Sequence, residues 1–304
     1  MAEALLFSIV IPCYNYGHWL ARAVDSVLAQ DGADWELLVI DDGSTDNTDA
    51  VATELLRQHA PRLRYLSQPN RGVAATRNRG IDATTGRYLI FLDADDEMAP
   101  GALGVYRELI ARNPDADLLA GAYRAITEDG RERIRRTGTL ASSRRQRLRA
   151  YLFTKQLNFS NSAAAFRRQV FAQRRYPETL RSAEDIPVFA HIAATREIAV
   201  TSALVAIAHR HRDSLRHTTD NATVASQILL DELFRPGAMP GWALACRRRY
   251  ETQHYLSRFR TCYLAGENAR ALDFYQRAWR TGALGTLSRW SYLRKYLALR
   301  LGQR

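Results

Sequence analysis

Three short apolar runs in the N-terminal third of the chain, each stopped by polar residues, constrain its fold more than any other feature. Phe7–Ile11 stops at Pro12, Glu36–Ile40 stops at Asp41-Asp42-Gly43-Ser44, and Tyr88–Leu92 stops at Asp93. Runs of this length, apolar without alternation and rich in β-branched residues, read as strands buried on both faces. Between them, His18–Gln30 and Asp46–His59 carry apolar residues at helical spacing, and Leu63–Leu66 reads as a further short strand. Asn70-Arg71-Gly72 is a turn signal before a helix near Val73–Thr84, which Gly86 closes. Strand and helix thus alternate, which predicts an α/β/α sandwich around a mostly parallel sheet. In such sheets ligands bind beyond the carboxyl ends of the strands. Asn15, Asp41-Asp42 and Asp93-Ala94-Asp95-Asp96 all fall at such ends.

Further along, residues 101–113 are expected to be helical and Asp117–Ala122 a strand. Residues 128–150 are rich in arginine and turn formers and are expected to form a mobile loop, with helical character from Arg144 to Phe153. Asn161–Phe166 and Ile198–Ile207 read as strands flanking a helix at Asp185–Ala194. From about 222 the pattern is helical, with breaks at Pro236-Gly237, Pro240-Gly241, Gly266 and Gly282. The expected organisation is therefore an α/β domain over 1–220 and a basic helical region over 221–304.

Charge separates the same two regions. Of the net +11, residues 242–304 hold +10, from thirteen Arg/Lys against three Asp/Glu, which leaves +1 for residues 1–241. Cys13, Cys246 and Cys262 are odd in number and lack metal or redox spacing, so free thiols in a reducing compartment are expected. No basic leader is seen, and the longest apolar stretch, Ile198–Ala208, is shorter than the roughly 18 residues a spanning helix needs. A cytoplasmic protein, with the inner membrane surface as an optional anchor, is the expectation.

The chemistry concentrates at Asp93 and Asp95. Alternate residues of an extended segment point the same way, so these two carboxylates can converge, and a cation between them would relieve their repulsion. Mg²⁺ and Mn²⁺ take oxygen ligands, commonly one or two carboxylates plus substrate phosphates.

In order and spacing, SIVIPCYNYGHWLARAVDSVLAQ, ELLVIDDGSTDNT, GVAATRNRGIDATTGRYLIFLDADD and SAEDIPVFAHIA resemble the family 2 inverting glycosyltransferases of GT-A fold, over roughly residues 6–215. The resemblance implies the following roles. Pro12, Tyr14 and Asn15 line the nucleotide pocket. Asp42 accepts a hydrogen bond from the base, most naturally the N3–H of uracil. Arg77 lies near the nucleotide and phosphates, Asp93 contacts the ribose or sugar, and Asp95 ligates Mg²⁺ or Mn²⁺. Asp185, in Glu184-Asp185, is the catalytic base. Aligned on His211 and Ser214, His211 takes a metal or diphosphate role, although Ala208 and His209 stand where the family has Tyr and Arg. Arg-Tyr-Pro-Glu at 175–178 lacks the usual glycines, and Ser160-Asn161-Ser162 stands at the acceptor side.

The implied reaction is inverting transfer from a nucleoside-diphosphate sugar to a glycan or glycolipid hydroxyl, in bacterial surface polysaccharide or lipopolysaccharide synthesis. A polyprenyl-phosphate sugar synthase is the alternative within the same chemistry. A noncatalytic nucleic-acid binder using the basic tail is the alternative outside it, and the acidic rim argues against nucleic acid as partner. In the tail, Leu287, Trp290, Leu293, Leu297 and Leu301 share one side of the last helix while Arg289, Lys295 and Arg300 lie away from it. That pattern fits either an anionic membrane surface or a helical cap.

Overall fold

A computed structural model describes residues 5–211 and 222–301. The chain divides into two compact units, 1–218 and 219–304. In the first unit the elements run β1 (Phe7–Cys13), α1 (Gly17–Leu28), β2 (Trp35–Asp41), α2 (Thr48–His59), β3 (Leu63–Ser67), α3 (Val73–Ala83), β4 (Tyr88–Phe91), β5 (Glu97–Met98) and α4 (Ala102–Arg112). They continue with β6 (Leu118–Thr127), β7 (Glu132–Arg135), α5 (Arg144–Arg149), β8 (Ala164–Arg167), α6 (Asp185–Thr195) and β9 (Ile198–Arg210).

Among the described residues, nine strands form one sheet in the order β3-β2-β1-β4-β8-β6-β9-β5, with β7 paired to β6. From β3 to β4 every pairing is parallel, and β1 sits at the centre with Ile9 opposite Leu37 and Ile90. All seven residues of β1 are buried, as a strand covered on both faces requires. Helix α3 approaches β1 so closely that a Cβ on Gly80 would lie 2.5 Å from a Val10 methyl. The order reverses around β1, with β2 on one side and β4 on the other, which opens the crevice at the strand ends.

Beyond β4 the sheet becomes mixed. β8 runs antiparallel to both β4 and β6, β5 pairs antiparallel with β9, and β6 and β9 are parallel with register shifts around Ala120–Tyr123. Two expectations change here. The segment 128–150 is not loop throughout: Glu132–Arg135 forms β7, the second strand of a hairpin, and residues 136–143 lack regular structure before the expected helix, α5, whose Ser143 Oγ cap accepts from Gln146 N. Backbone pairing of Ala125 with Arg133 fixes the hairpin whatever the side chains are. The predicted strand Asn161–Phe166 begins instead with a 3₁₀ turn over Asn161–Ala163, and strand pairing starts at Ala164.

The second unit is helical: α7 (Ala222–Leu233), α8 (Gly241–Leu244), α9 (Arg247–Leu264), α10 (Asn268–Leu287) and α11 (Trp290–Leu301). Helices α9 and α10 pair as a hairpin about Gly266, whose φ of +74° suits glycine, and α10 bends at Gly282. Helix α11 rests on this pair through Tyr296, stacked 4.1 Å from Tyr275, and Tyr292, 5.9 Å from Phe259. Its opposite face leaves Trp290, Leu297 and Leu301 exposed, while Leu293 is half-buried. Lys295 reaches back over the Tyr263 ring.

Candidate active site

The strand ends of β1, β2 and β4 gather most of the residues expected at the site. Pro12 is buried opposite Ile40, and Tyr14 projects, 42% exposed. Asn15 takes a left-handed backbone, φ +57°, a conformation asparagine tolerates better than most residues. Its N–H donates to Ser44 Oγ at 2.8 Å and its Oδ1 accepts from Thr45 N at 2.7 Å, so the first corner is tied to the second.

Asp42 is buried and heavily engaged. Oδ1 accepts from Gln68 Nε2 at 2.7 Å and from Arg71 N at 2.9 Å, and Oδ2 accepts from Gly72 N at 2.7 Å. A carboxylate offers about four acceptor sites, so one remains for a ligand donor. Asp42 thus holds the loop that leads into α3 as well as facing the crevice. Asp41 fixes its own turn by accepting from Ser44 N.

Thr76-Arg77-Asn78 at the start of α3 joins the two halves of the unit. Thr76 Oγ1 accepts from Gln68, and Asn78 exchanges hydrogen bonds with the Tyr176 backbone at 2.9 and 3.1 Å. Between them, Arg77 is 3% exposed and spans two acids: Nη1 donates to Glu184 at 2.5 Å and Nη2 to Asp93 at 2.8 Å. Its guanidinium also lies 5.3 Å from the Tyr176 ring centre. Burial works against the charge, but the two carboxylates more than offset it and raise the Arg77 pKa. Both terminal nitrogens of Arg77 are thus bonded to acids, and the side chain bridges Asp93 and Glu184.

Asp185 opens α6 next to Glu184, just after Ala183, whose φ of +59° is rare for a residue with a side chain. Burial, then repulsion from Glu184, lift its pKa from the ordinary 3.8 to about 6, and the opposing pull of Arg77 is smaller. A carboxylate with such a value is a stronger base than an exposed aspartate and is still ionised at neutral pH.

Asp95 points the other way, onto His211, whose Nε2 lies 2.8 Å from Oδ2. The imidazole is packed by Tyr16 and Trp19, at 5.6 and 6.3 Å between ring centres. Arg22 braces this edge, donating to the Asp95 carbonyl at 2.8 Å while lying over Trp19. The Asp95 pKa is raised by burial and by Asp93, against relief from His211. Asp96 is sealed beneath, accepting from Ser162 Oγ at 2.7 Å and His209 N at 3.1 Å, its pKa well up through burial and its two acidic neighbours. His209, by contrast, faces Glu97 at 2.6 Å.

Among the described residues no three His, Cys, Asp or Glu side chains gather into a ready-made metal site. Asp95 and His211 supply two ligands, and the excess negative charge that raises the Asp95 pKa suits a hard cation completed by phosphate oxygens and water. Asp93 and Asp95 take different partners, Arg77 and His211, yet lie close enough for Asp93 to raise the Asp95 pKa. Cys13 is buried against Thr48, its thiol pushed up to about 12 mainly by desolvation, which makes it a packing residue.

Tyr16, Trp19 and Arg22 contribute without having been singled out from the sequence, and Ser162 and Tyr176 contribute bonds that the sequence did not announce. The first three share a face of α1 or its entrance, and helical spacing alone assigns that face to the core. The expected acceptor-side role of Ser160-Asn161-Ser162 becomes bracing, since Asn161 Oδ1 accepts from Tyr176 and Ser162 holds Asp96.

The sequence matches the family model described as Glycosyl transferase family 2 over residues 8–175, more than half of the chain. The chain belongs to glycosyl transferase family 2. The matched stretch covers the crevice from β1 to the Asp93 corner and stops before Glu184-Asp185. Over 255 residues, 80% of this chain and 72% of that protein, it is 31% identical to the succinoglycan biosynthesis protein ExoO of Rhizobium meliloti. It is 44% identical over 96 residues to the uncharacterized glycosyltransferase alr2836 of Nostoc, and 37% identical over 132 residues to the chondroitin synthase of Pasteurella multocida. Those matches span only 30% and 14% of the respective relatives. Among solved structures, residues 1–349 of TarS from S. aureus, in complex with UDP-GlcNAc, align at a TM-score of 0.69 with 21% identity, over 99% of this chain and 92% of that one. The family 2 chain thus has the GT-A fold: a mixed sheet with flanking helices, followed by a helical part.

Proposed function

We propose that this family 2 chain transfers a sugar, with inversion, from a nucleoside-diphosphate donor to an acceptor hydroxyl in surface polysaccharide synthesis. The observation that carries this reading is the Arg77 bridge. One buried guanidinium bonds both the donor-side acid Asp93 and the Glu184 neighbour of Asp185, so donor acid and base share a single rigid element. The relatives named above, several of them polysaccharide enzymes by name, and the UDP-GlcNAc complex of the TarS neighbour support a nucleotide sugar, with UDP the preferred carrier.

In this reading Tyr14, Asn15 and Asp42 receive the nucleotide, with Asp42 using its one remaining acceptor site. Asp93 orients the ribose or sugar. Asp185 takes the proton of the attacking hydroxyl, and Glu184 keeps it basic. Asp95 and His211 would hold Mg²⁺ or Mn²⁺, whose chemistry is to offset charge on the departing diphosphate. A single displacement needs no enzyme nucleophile, in keeping with an inert Cys13.

No helix among the described residues is long and apolar enough to cross a membrane. The face of α11 that exposes Trp290, Leu297 and Leu301, within a region of +10 charge, supports docking on an anionic lipid surface, where a lipid-linked glycan acceptor would be met. Co-sedimentation with vesicles rich in phosphatidylglycerol, and its loss in Trp290→Ser, checks that part.

A thermal-shift titration with nucleotide sugars, with and without Mn²⁺, tests the core of the reading. Stabilisation is expected to need donor and metal together and to vanish in Asp95→Ala. Stabilisation that ignores both metal and substitution would remove Asp95 from the site.

A further inference from the structure

We propose that a cavity beside α6, walled by Thr139, Gln146, Arg149 and Gln156 with Lys155 at its edge, is an acceptor subsite for an anionic group. The group is a phosphodiester or a uronate carboxylate on the acceptor chain, carried close to the hydroxyl that attacks. This rests on Asp185 being the base.

The cavity has a volume of about 690 Å³ and lies outside the donor crevice. Its walls are fixed by the backbone. Asn158 N donates to Thr137 O at 2.9 Å, and Thr137 Oγ1 donates to Gly121 O at 3.0 Å. Gly138, at φ +97°, lies so near the Gln156 carbonyl that any Cβ there would overlap it. Lys155 itself is held in the left-handed region, φ +55°, where the helical turn after α5 ends.

The cavity is joined to Asp185 through packed rings. Tyr151 lies 6.2 Å from Phe189, and Phe189 stands one helical turn after Asp185, on the same face of α6. Lys155 follows Tyr151 by four residues and keeps its ammonium 6.0 Å from the Tyr151 ring. It is close enough to Asp185 to feel its charge, while desolvation lowers its pKa.

Only part of the charge of this wall is balanced by ion pairs within the chain. Residues 131–155 contain nine Arg or Lys and one Glu. Arg144 and Arg147 are accounted for by Glu197. Arg149 and Lys155 are exposed, and among the described residues neither side chain forms a salt bridge or hydrogen bond. Lys155 is also one of only two lysines in the chain. Arg149 in the wall and Lys155, placed in the chain between the lining residues Thr154 and Gln156, match a negative group on the acceptor. Charge-assisted hydrogen bonds to such a group are the strong kind.

The test compares an oligouronate, a glycerol phosphate oligomer and a neutral oligoglucoside, first by binding without donor and then as acceptors. Lys155→Gln and Arg149→Gln are expected to weaken binding of one anionic oligomer, and raise its acceptor KM, by about 10- to 100-fold. The neutral oligomer should shift less than twofold, and Lys155→Arg should recover most of the loss. Whichever anionic oligomer responds identifies phosphate or carboxylate. Equal effects on neutral and anionic oligomers, or a rise in donor KM instead, would overturn the subsite. Charge-dependent binding with no transfer by the unaltered protein would leave the cavity as an anion site and count against Asp185 as a glycosyl-transfer base.

Discussion

The half of the sheet from β3 to β4 and the half from β8 to β5 are built by different rules. In the first, β1, β2 and β4 are largely apolar runs, every pairing is parallel, and Tyr14, Asn15, Asp42 and Asp93 stand one or two residues past a strand end. In the second, antiparallel pairings mix with the parallel pair β6–β9, and Asp185 sits at a helix start. Parallel neighbours demand a crossover helix, which writes a regular signal into the sequence. Antiparallel neighbours need only backbone pairing, which side chains specify weakly. On the proposed reading the first half receives the donor and the second carries the base, so they are called the donor half and the acceptor half.

Substitutions can break or sharpen this contrast. The largest effect is expected at Asp185. Asp185→Asn should lower transfer by about 10²–10⁴-fold in steady-state assays, the usual worth of one positioned base, with donor binding by calorimetry nearly intact. Its stability should move the opposite way. A carboxyl whose folded pKa lies above its unfolded value loses stability as pH rises from about 4 through about 6. The Asn variant should thus melt higher than the parent at pH 8 and no higher at pH 3.

Arg77 joins the halves, so its loss should be felt in both. Arg77→Met strands Glu184 and Asp93 and should cost about 3–5 kcal/mol in urea unfolding, the range for breaking a buried ion pair. If only the acceptor half loosened by hydrogen exchange, the bridge would not be the common element described above. Within the donor half alone, Gly80→Ala forces a methyl against Val10 and should cost about 1–3 kcal/mol, with kinetics little changed in the folded fraction. The smallest effect belongs to Glu184→Gln. Removing the repulsion lowers the Asp185 pKa, so the acid limb of kcat/KM should shift to lower pH; a limb that stays in place would deny Glu184 its influence.

What could be read in advance follows the same division. Phe7–Ile11, Glu36–Ile40 and Tyr88–Leu92 announced themselves by composition, and Asn15, Asp42 and Asp93 followed from where those runs stop. Residues 128–150 misled because arginines and turn formers look the same in an open loop and in a hairpin whose partner, β6, is already in place. The separate partners of Asp93 and Asp95 were equally hidden. Alternation along a strand places both toward one cation, but Arg77 and His211, distant in sequence, each engage one of them. Tyr176 and Glu184 were invisible as a cradle for Arg77 because burial of a charge is a property of three segments at once.

The corner at Asn15 has a last implication, for kinetics. Its left-handed backbone and paired bonds to Ser44 and Thr45 are made entirely within the chain. The entropy of freezing that rim is surrendered once, as the polypeptide collapses, and never again per turnover. Encounter there should proceed as rigid docking, its pace set by diffusion and orientation with no waiting period for the rim to assemble.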